Sequence, residues 1–473
     1  MGERIVVEPV TRIEGHAKIT VQIDDSGAVS GATFHVTEFR GFEKICEGRP
    51  FTEMPGLMAR ICGICPISHV LAASRAGDQI LGVEIPEAAR LQRRLLAYAQ
   101  VLQSHALSFF HLSAPDLLLG FDADPERRHL FGLLASEPDL MRRGIRLRAL
   151  GQQVIEDVAG KRIHPSWGVP GGVSRRAPES VRQRVRDGVS EARESLRMAL
   201  DRMKRLLDGF REEVDGIGAF PSLFLGTLDG DGELEYVDGQ IRIVDGERNT
   251  VADQLDPRRY ATYLAEASEA SSYMKFPYYK PLGYPGGMYR VGPLARLNVA
   301  ERAGTPLADR ELRELRQRGQ GAVTASFHYH LARLVEMLHC VERLEELCDE
   351  PDLTGSHVRA RAGVNAHVGV GSCEAPRGTL FHRYEVDDDG LVLRADLLIA
   401  TSQNNLAMNR TVEQAARRFV KADALEEGML NRVEAGIRCY DPCLSCATHA
   451  LGSMALAIEL RRPDGTVWAR LTR

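Results

Sequence analysis

The chain has 473 residues, and its 60 basic and 65 acidic side chains give a formal net charge of −5. Because the two signs are interspersed, neither nucleic acid nor an anionic membrane is an expected partner. No apolar run reaches the roughly 18 residues of a membrane span, and residues 1–10 are too charged for a secretory signal, which predicts a soluble cytoplasmic protein. The nine cysteines then indicate metal or redox chemistry rather than disulfides.

The first half of the chain predicts a small sheet followed by long helices. Strands are expected over residues 4–7, 16–23 and 28–39, where apolar and polar residues alternate around an Asp-Asp-Ser-Gly turn. Apolar residues at helical spacing predict a long buried helix over 86–113, and further helices are expected over 126–158 and 178–214. We therefore divide this half into a β layer and lead-in, residues 1–60, and a helical core, residues 61–215.

The second half predicts an insert and a return to the core. Residues 216–300 have short strands, Asp-Gly turns and a loop rich in Tyr, Pro and Gly, so they are expected to form an α+β insert. Residues 301–449 predict more helical core, with helices over 311–350 and 412–433. Between them we expect a Gly-rich loop, 363–378, and a β hairpin, 379–386 with 391–399. The expected fold class is α+β and predominantly helical: a long buried helix bundle with an N-terminal β layer and peripheral hairpins.

Two CxxC pairs lie near opposite ends of the chain. The segments are Arg60-Ile-Cys62-Gly-Ile-Cys65-Pro-Ile-Ser-His69 and Asp441-Pro-Cys443-Leu-Ser-Cys446-Ala-Thr-His449. Each pair sets two sulfurs about one turn apart, so four thiolates can converge on one soft metal if the ends meet.

Other interpretations of these cysteines remain open at this point. Structural zinc is one alternative, although zinc ribbons separate their pairs by only about 15–20 residues. Thiol–disulfide chemistry at a single CxxC is another. The histidine after each pair, His69 or His449, is either a core group or part of the metal site, and the matched offsets favour neither over the other. The remaining cysteines are expected to be small core residues: Cys46, Cys340, Cys348, Cys373 and Cys439.

Several segments together resemble the large, catalytic subunit of NiFe hydrogenases. Besides the two cysteine motifs, the matching segments are Arg12-Ile-Glu14-Gly-His16, Gly41-Phe-Glu43-Lys44 and Glu374-Ala-Pro-Arg377-Gly378. The segments Phe39-Arg-Gly-Phe-Glu-Lys44 and Ser113-Ala-Pro-Asp116-Leu-Leu-Leu-Gly120 are most similar to the cytoplasmic, bidirectional, NAD-linked branch. A non-catalytic relative with the same fold, such as the quinone-site subunit of respiratory complex I, is the alternative. Those relatives lack the four cysteines.

The resemblance implies a bimetallic site. In the family the four cysteines bind nickel, and the second cysteine of each pair also bridges to an iron that carries two cyanides and one carbon monoxide. Cys62 and Cys443 are then terminal ligands, and Cys65 and Cys446 are bridging ligands. We assign the proton-accepting role to the terminal thiolate of Cys62. Soft thiolates suit nickel with an open position at which dihydrogen is split.

The resemblance also implies residues that act around the metals. Glu14 matches the family carboxylate that carries protons away, although an ordinary capping or surface glutamate is the alternative. Arg377 matches an arginine above the open metal position, and Asp116 and Asp441 match the two carboxylates that hold it. His69 matches a hydrogen-bond donor to a bridging sulfur.

Two further sites follow from the same resemblance. Thr401 and Ser402 match donors to the cyanides. Glu43, His449 and the backbone carbonyl of Leu397 match a magnesium site, with an ordinary surface position as the alternative for Glu43.

The resemblance finally implies partners and processing. Residues 450–473 match a C-terminal extension that a maturation protease removes after nickel chaperones have loaded the site, although a terminal hairpin is the alternative. The chain has no cysteine pattern for an iron–sulfur cluster and no dinucleotide fingerprint. A small subunit with an iron–sulfur cluster and a diaphorase with FMN and NAD are therefore the expected partners, with a deazaflavin- or heterodisulfide-reductase-linked hydrogenase as the alternative.

Overall fold

An antiparallel sheet begins the chain in the computed structural model, which describes residues 4–450, 454, 457–462 and 466–472. Its strands lie in the order β1 (Arg4–Val7), β2 (Ala17–Ile23) and β3 (Val29–Val36). Two short helices lead to the first CxxC pair: α1 (Phe42–Cys46) and α2 (Met54–Met58). The predicted N-terminal β layer is present, and its third strand is shorter than expected.

Helices of 6 to 30 residues follow, and several begin with proline in the first turn, where no backbone N–H is needed. They are α3 (Pro66–Leu81), α4 (Glu87–Leu107), α5 (Ala114–Leu119), α6 (Leu130–Ser136), α7 (Pro138–Ala159), α8 (Ser180–Gly209) and α9 (Arg211–Gly216). A π-helical turn, Ser108–Ser113, joins α4 to α5. The two-residue strands β4 (Gly168–Val169) and β5 (Gly172–Val173) pair before α8. Helix α4 is buried along nearly its whole length.

The middle of the chain contains short strands with a small core of their own. The elements are β6 (Leu223–Leu228), β7 (Gln240–Val244), β8 (Thr250–Leu255), α10 (Tyr260–Tyr263), β9 (Leu264–Ala267), β10 (Phe276–Tyr279) and β11 (Tyr289–Arg290). One sheet has the order β11-β6-β7-β8, with β11 parallel to β6, and β9 pairs with β10. The hydrophobic core of this middle region also includes Phe381 and Leu398, which lie in a sheet nearer the C-terminus. The middle region and that sheet therefore pack together.

The last third of the chain returns to the helical core. Its elements are α11 (Pro293–Val299), α12 (Pro306–Arg316), α13 (Tyr329–Leu347), β12 (Val368–Ala375), β13 (Gly378–Val386), β14 (Val392–Leu398), α14 (Ala400–Gln403), α15 (Asn405–Phe419), α16 (Glu427–Tyr440), α17 (Leu444–Ala447), β15 (Ala457–Arg461) and β16 (Val467–Thr472). Short 3-10 turns occur at Phe51–Glu53, Ala59–Ile61, Pro257–Arg259, Lys280–Leu282, Ser326–His328, Pro351–Thr354 and Ala422–Ala424. The strands β15 and β16 pair as an antiparallel hairpin in the tail.

The helices α4, α7, α8 and α13 pack against one another, which confirms the α+β, predominantly helical fold class. Two predicted helices were wrong in extent. The helix expected over 311–350 is two helices, α12 and α13, because glycines at 319 and 321 interrupt helical backbone between them. The helix expected over 412–433 is also two, since the chain becomes extended at Val420. No described helix is both long and apolar enough to cross a bilayer.

The predicted Gly-rich loop over 363–378 was also wrong, because residues Val368–Ala375 form strand β12, paired with β13. A Cβ atom at Gly371 would lie 1.9 Å from the carbonyl oxygen of Ala72, and one at Gly369 would lie 2.1 Å from that of Ala76. The glycines therefore let the strand lie directly on α3 rather than form a loop. This contact supports the helix that begins at the first CxxC pair.

We predict that Gly371→Ala destabilises the protein, because the added methyl group would overlap the backbone of α3. Overpacking of this kind typically costs about 1–3 kcal/mol. Thermal unfolding of the purified chain with its partners measures the change. Gly363→Ala is the matched control, since a Cβ atom there meets nothing within 4 Å. Equal unfolding midpoints for both variants would contradict the proposed strand–helix contact.

Candidate metal centre

The first CxxC pair lies where a 3-10 turn meets the beginning of α3. Cys62 has extended backbone and Cys65 is the N-cap of α3. Helix α4 holds the loop between them. Gln100 Nε2 and Gln103 Nε2 both donate to the carbonyl oxygen of Ile64, at 2.6 and 2.7 Å. The loop conformation therefore depends on two glutamines of the buried helix.

The second CxxC pair lies after the end of α16. Asp441 ends that helix in the left-handed conformation, with φ of 51°, and Cys443 is the N-cap of α17. Residues distant in sequence hold this loop. The Cys443 backbone N–H donates to Thr401 Oγ1 at 3.0 Å, and the Ser445 backbone N–H donates to Glu14 Oε2 at 3.1 Å. Glu14 thus lies against the second pair.

The structure brings the four predicted cysteine ligands together. The Sγ–Sγ distances are 3.2 Å for Cys62 and Cys443, 3.6 Å for Cys65 and Cys446, and 3.0 Å for Cys443 and Cys446. All four sulfurs lie within 4.8 Å of one another, and all four residues are buried. Within the described ranges, no other group of three or more His, Cys, Asp or Glu side chains converges in this way.

The chemistry of this cluster fits a soft cation. Burial raises the pKa of Cys446 well above its ordinary value, because a thiolate there is removed from water. Hydrogen bonds from Cys443, Cys446 and Cys62 lower the pKa of Cys65. Four buried thiolates at these distances require a compensating positive charge. Nickel and iron are soft enough for such a donor set.

Arg377 lies buried beside the cluster. Its Nη2 lies 2.9 Å from Asp441 Oδ2 as an ion pair, its Nε donates to the Asp441 carbonyl oxygen at 2.7 Å, and its Nη1 donates to Ser104 Oγ at 2.9 Å. Burial lowers the pKa of Arg377, but the negative charges of Asp441 and Cys443 outweigh that effect and raise it. The guanidinium therefore stays charged next to the sulfurs.

The expectation that Asp116 also holds Arg377 was wrong. Its carboxylate instead accepts hydrogen bonds from Arg438 at 3.1 Å, from Asn431 at 3.0 Å, and from Arg12 at 2.5 Å. Asp116 belongs to α5 and contacts α16 and the N-terminal segment rather than the turn between β12 and β13 that contains Arg377. It anchors Arg12, two residues before Glu14, so it is linked to the cysteine cluster through the segment that contains Glu14.

The backbone before Arg377 is held by a buried charge cluster. Arg296 Nη1 donates to the Ala375 carbonyl oxygen at 3.0 Å and Nη2 to that of Pro376 at 3.3 Å. Glu336 and Glu374 balance its charge, at 2.6 and 2.8 Å. These side chains were not among the predicted site residues.

The predicted magnesium residues also come together, although in a different arrangement. Glu43 Oε1 lies 2.8 Å from His449 Nδ1 and accepts the Leu397 backbone N–H at 2.7 Å. The contact with Leu397 is therefore made by its nitrogen, which cannot bind a cation. His449 Nε2 is buried and has no hydrogen-bond partner in the described part of the chain, so it is the atom free to bind a ligand.

Thr401 and Ser402 begin α14 beside the second pair and are buried. The Thr401 hydroxyl oxygen accepts the Cys443 N–H, which leaves its hydrogen for another acceptor. The Ser402 hydroxyl donates to the Ile399 carbonyl oxygen at 2.8 Å. Thr401 therefore suits the predicted donor role better than Ser402.

Sequence reasoning missed the polar residues of α4 that hold the site: Gln100, Gln103 and Ser104. A signal for them existed, because they are polar residues at helical spacing within an otherwise apolar segment. Such residues in a buried helix need partners. Here the partners are the first CxxC loop and Arg377.

Comparison with known proteins identifies the family of the chain, and the matched ranges include the cysteine cluster. The model of the nickel-dependent hydrogenases matches residues 40–127 and 240–449, and a HoxL-like model matches residues 4–39. The chain belongs to the nickel-dependent hydrogenase family. Both CxxC pairs of this hydrogenase lie inside the matched ranges.

Individual relatives give the same family. The hydrogenase is 41% identical to the NAD-reducing hydrogenase HoxS subunit beta of Cupriavidus necator, with 97% of each chain covered. It is 39% identical to a chain of the F420-non-reducing hydrogenase vhu of Methanococcus voltae, with 88% of this chain and 99% of that one covered. A solved NAD+-reducing [NiFe]-hydrogenase in the H2-reduced state superposes with a TM-score of 0.92 at 44% identity, covering 94% of this chain and 99% of that one.

We predict that Cys446→Ser lowers the nickel content of the purified protein, because it replaces a soft thiolate with a hard hydroxyl. Elemental analysis per chain measures the loss. Cys46→Ser is the matched control: Cys46 Sγ donates to the Phe42 carbonyl oxygen at 3.2 Å, and a serine hydroxyl can do the same. Full nickel content in the Cys446→Ser protein would contradict the ligand assignment.

Proposed function

We propose that this chain is the dihydrogen-activating subunit of an NAD-linked NiFe hydrogenase, carrying out H2 ⇌ 2H+ + 2e−. Nickel would be held by Cys62, Cys65, Cys443 and Cys446, and an iron with two cyanides and one carbon monoxide by the bridging Cys65 and Cys446. The convergence of the four buried sulfurs within 4.8 Å carries this proposal. When bound, the metal pair supplies an open coordination position and accepts the electrons of dihydrogen.

Proton transfer from the site is proposed to pass through Cys443 and Glu14. The family resemblance alone led us to assign the proton-accepting role to Cys62. Glu14, however, pairs through its backbone with Cys443, its carbonyl oxygen accepts the Leu444 N–H at 3.1 Å, and its carboxylate accepts the Ser445 N–H. Of the two terminal cysteines, Cys443 therefore lies in the loop that Glu14 contacts. The anchored carboxylate would take a proton from that side of the cluster.

Arg377 is proposed to orient dihydrogen at the open metal position. Its guanidinium is fixed by Asp441 and Ser104, and a permanently charged group cannot easily serve as a proton donor. Asp116 would act indirectly by holding Arg12 and hence the Glu14 segment. His69 would donate to Cys446 Sγ, and Thr401 and Ser402 would lie near the cyanides.

The electron acceptor is proposed from the relatives. An NAD-reducing relative is 41% identical over 97% of this chain, which supports a small subunit with an iron–sulfur cluster and a diaphorase with FMN and NAD, in the cytoplasm. The F420-non-reducing hydrogenase of Methanococcus voltae is 39% identical over 88% of this chain. It supports a second candidate, in which electrons leave to a different partner, such as a heterodisulfide reductase.

Magnesium and maturation are further parts of the proposal. Glu43 and His449 Nε2 would bind magnesium together with water. The carbonyl oxygens of Thr448 and His449 accept backbone N–H groups of Arg40, Gly41 and Glu43, so the chain is anchored up to residue 449. Removal of residues 450–473 by a maturation protease, after nickel chaperones have loaded the site, would leave this anchored end in place.

The deciding experiment uses the complex purified anaerobically with its partner subunits. We expect nickel in stoichiometric amount, infrared bands of cyanide and carbon monoxide, and H2-dependent reduction of NAD+. Absence of nickel and of both infrared signatures from processed protein would refute the hydrogenase proposal. Bands and nickel without NAD+ reduction would refute only the proposed acceptor.

We predict that Glu14→Gln keeps the nickel and the infrared bands but lowers dihydrogen turnover, because an amide cannot carry the proton onward. Loss of a positioned acid–base group costs about a hundredfold or more. Turnover is measured by H2-dependent dye reduction. Glu38→Gln is the control, since Glu38 Oε1 accepts the His16 backbone N–H at 3.3 Å, a hydrogen bond that a glutamine amide oxygen can keep. Undiminished turnover in Glu14→Gln would exclude this route.

A further inference from the structure

A row of hydrogen-bonding side chains leads away from the cluster, beginning at Cys446. Cys446 Sγ lies 3.3 Å from His69 Nε2, His69 Nδ1 lies 3.2 Å from His382 Nε2, and His382 Nδ1 lies 2.8 Å from the Tyr384 hydroxyl. All four side chains are buried, with His382 and Tyr384 at 0% exposure. His382 and Tyr384 are two positions apart on β13 and so share one face of the sheet.

The direction of these hydrogen bonds follows from the groups at the two ends of the row, the Cys446 sulfur and the Tyr384 hydroxyl. A cysteine sulfur bound to metal is a thiolate and can only accept, so His69 Nε2 must carry the proton. With its proton on Nε2, His69 accepts at Nδ1, and His382 must donate from Nε2. His382 in turn accepts at Nδ1, and the Tyr384 hydroxyl is its donor.

The reverse direction leaves two groups without partners. If His382 Nδ1 donated to Tyr384, then His69 would point the lone pair of Nε2 at the thiolate of Cys446. The Tyr384 hydroxyl hydrogen would also need an acceptor, and its contacts in the described residues provide only His382. One arrangement therefore satisfies every group in a region without water access.

We propose that Tyr384 and His382 are positioning residues that fix the tautomer of His69, so that its Nε2–H is held on the sulfur of Cys446. The inference rests on the proposed bridging role of Cys446 and adds the residues that orient its hydrogen-bond donor. Burial lowers the pKa of His382 well below its ordinary value and raises that of Tyr384, so both stay neutral, as the arrangement requires.

The His69 hydrogen bond would change how much electron density the Cys446 sulfur donates to the metals. An N–H donor draws electron density from a thiolate, so Cys446 donates less to the metals when His69 is in this tautomer. Without the Tyr384 hydroxyl, His382 Nδ1 loses its donor and the two tautomers of His69 mix. Part of the protein then lacks the hydrogen bond on Cys446, and the iron becomes more electron-rich.

The test is infrared spectroscopy of the anaerobically purified complex that carries Tyr384→Phe. We expect the carbon monoxide band to shift to lower wavenumber or to split, because a more electron-rich iron weakens the C–O bond. Tyr263→Phe is the matched control: its buried hydroxyl donates to the Asp256 carbonyl oxygen at 3.2 Å, away from the cluster. A Tyr384→Phe band at the wild-type position would overturn the proposal.

Two substitutions of His382 test whether this residue fixes the His69 tautomer if Tyr384→Phe is recovered without metals. In His382→Gln, the amide nitrogen can donate to His69 and the amide oxygen can accept from Tyr384, so the band should stay in place. In His382→Leu neither contact forms, and the band should move. Equal band positions in the two variants would overturn the proposal. Absence of bands from the wild-type complex would instead count against the proposed function.

Discussion

The convergence of four buried cysteine sulfurs is the constraint on which the rest of the structure depends. Their loops come from opposite ends of the chain, and neither loop holds its conformation alone. Gln100 and Gln103 of α4 bind the first loop, and Glu14 and Thr401 bind the second. Four thiolates in a region without water would repel one another, so a cation bound there would stabilise the site together with the folded core.

Charge around the cluster is arranged in layers. Arg377 lies next to the sulfurs and is paired with Asp441, which gives the site a fixed positive group beside its negative ligands. The backbone before Arg377 is held by Arg296, whose charge is balanced by Glu336 and Glu374. Burying such groups is costly unless each is paired and hydrogen-bonded. Arg296 meets that condition through Glu336 of α13 and Glu374 of β12, and Arg377 donates a hydrogen bond to Ser104 of α4.

The fold was predictable where the sequence pattern is local. Alternation over residues 4–39 indicated the N-terminal sheet, and apolar periodicity after Pro86 indicated α4, because both signals depend on neighbouring residues. Prediction failed at β12, where Gly369 and Gly371 are typical of a loop but serve close contact with α3. It also failed between α15 and α16, where no proline or glycine marks the break at Val420. The failure at β12 arises from packing between segments distant in sequence.

The metal site likewise has features that the local sequence predicts and features that depend on contacts between distant segments. The sequence by itself determined the candidate donor set, because four thiols in two CxxC pairs can bind one soft metal if the two ends of the chain meet. Only the tertiary structure decided which groups surround that set. It placed Glu14 against the loop of Cys443 rather than that of Cys62, moved Asp116 from Arg377 to Arg12 and Arg438, and joined His69 to His382 and Tyr384. Residue type sets what a side chain can bind, whereas its partner depends on which distant segments the folded core brings within hydrogen-bond distance.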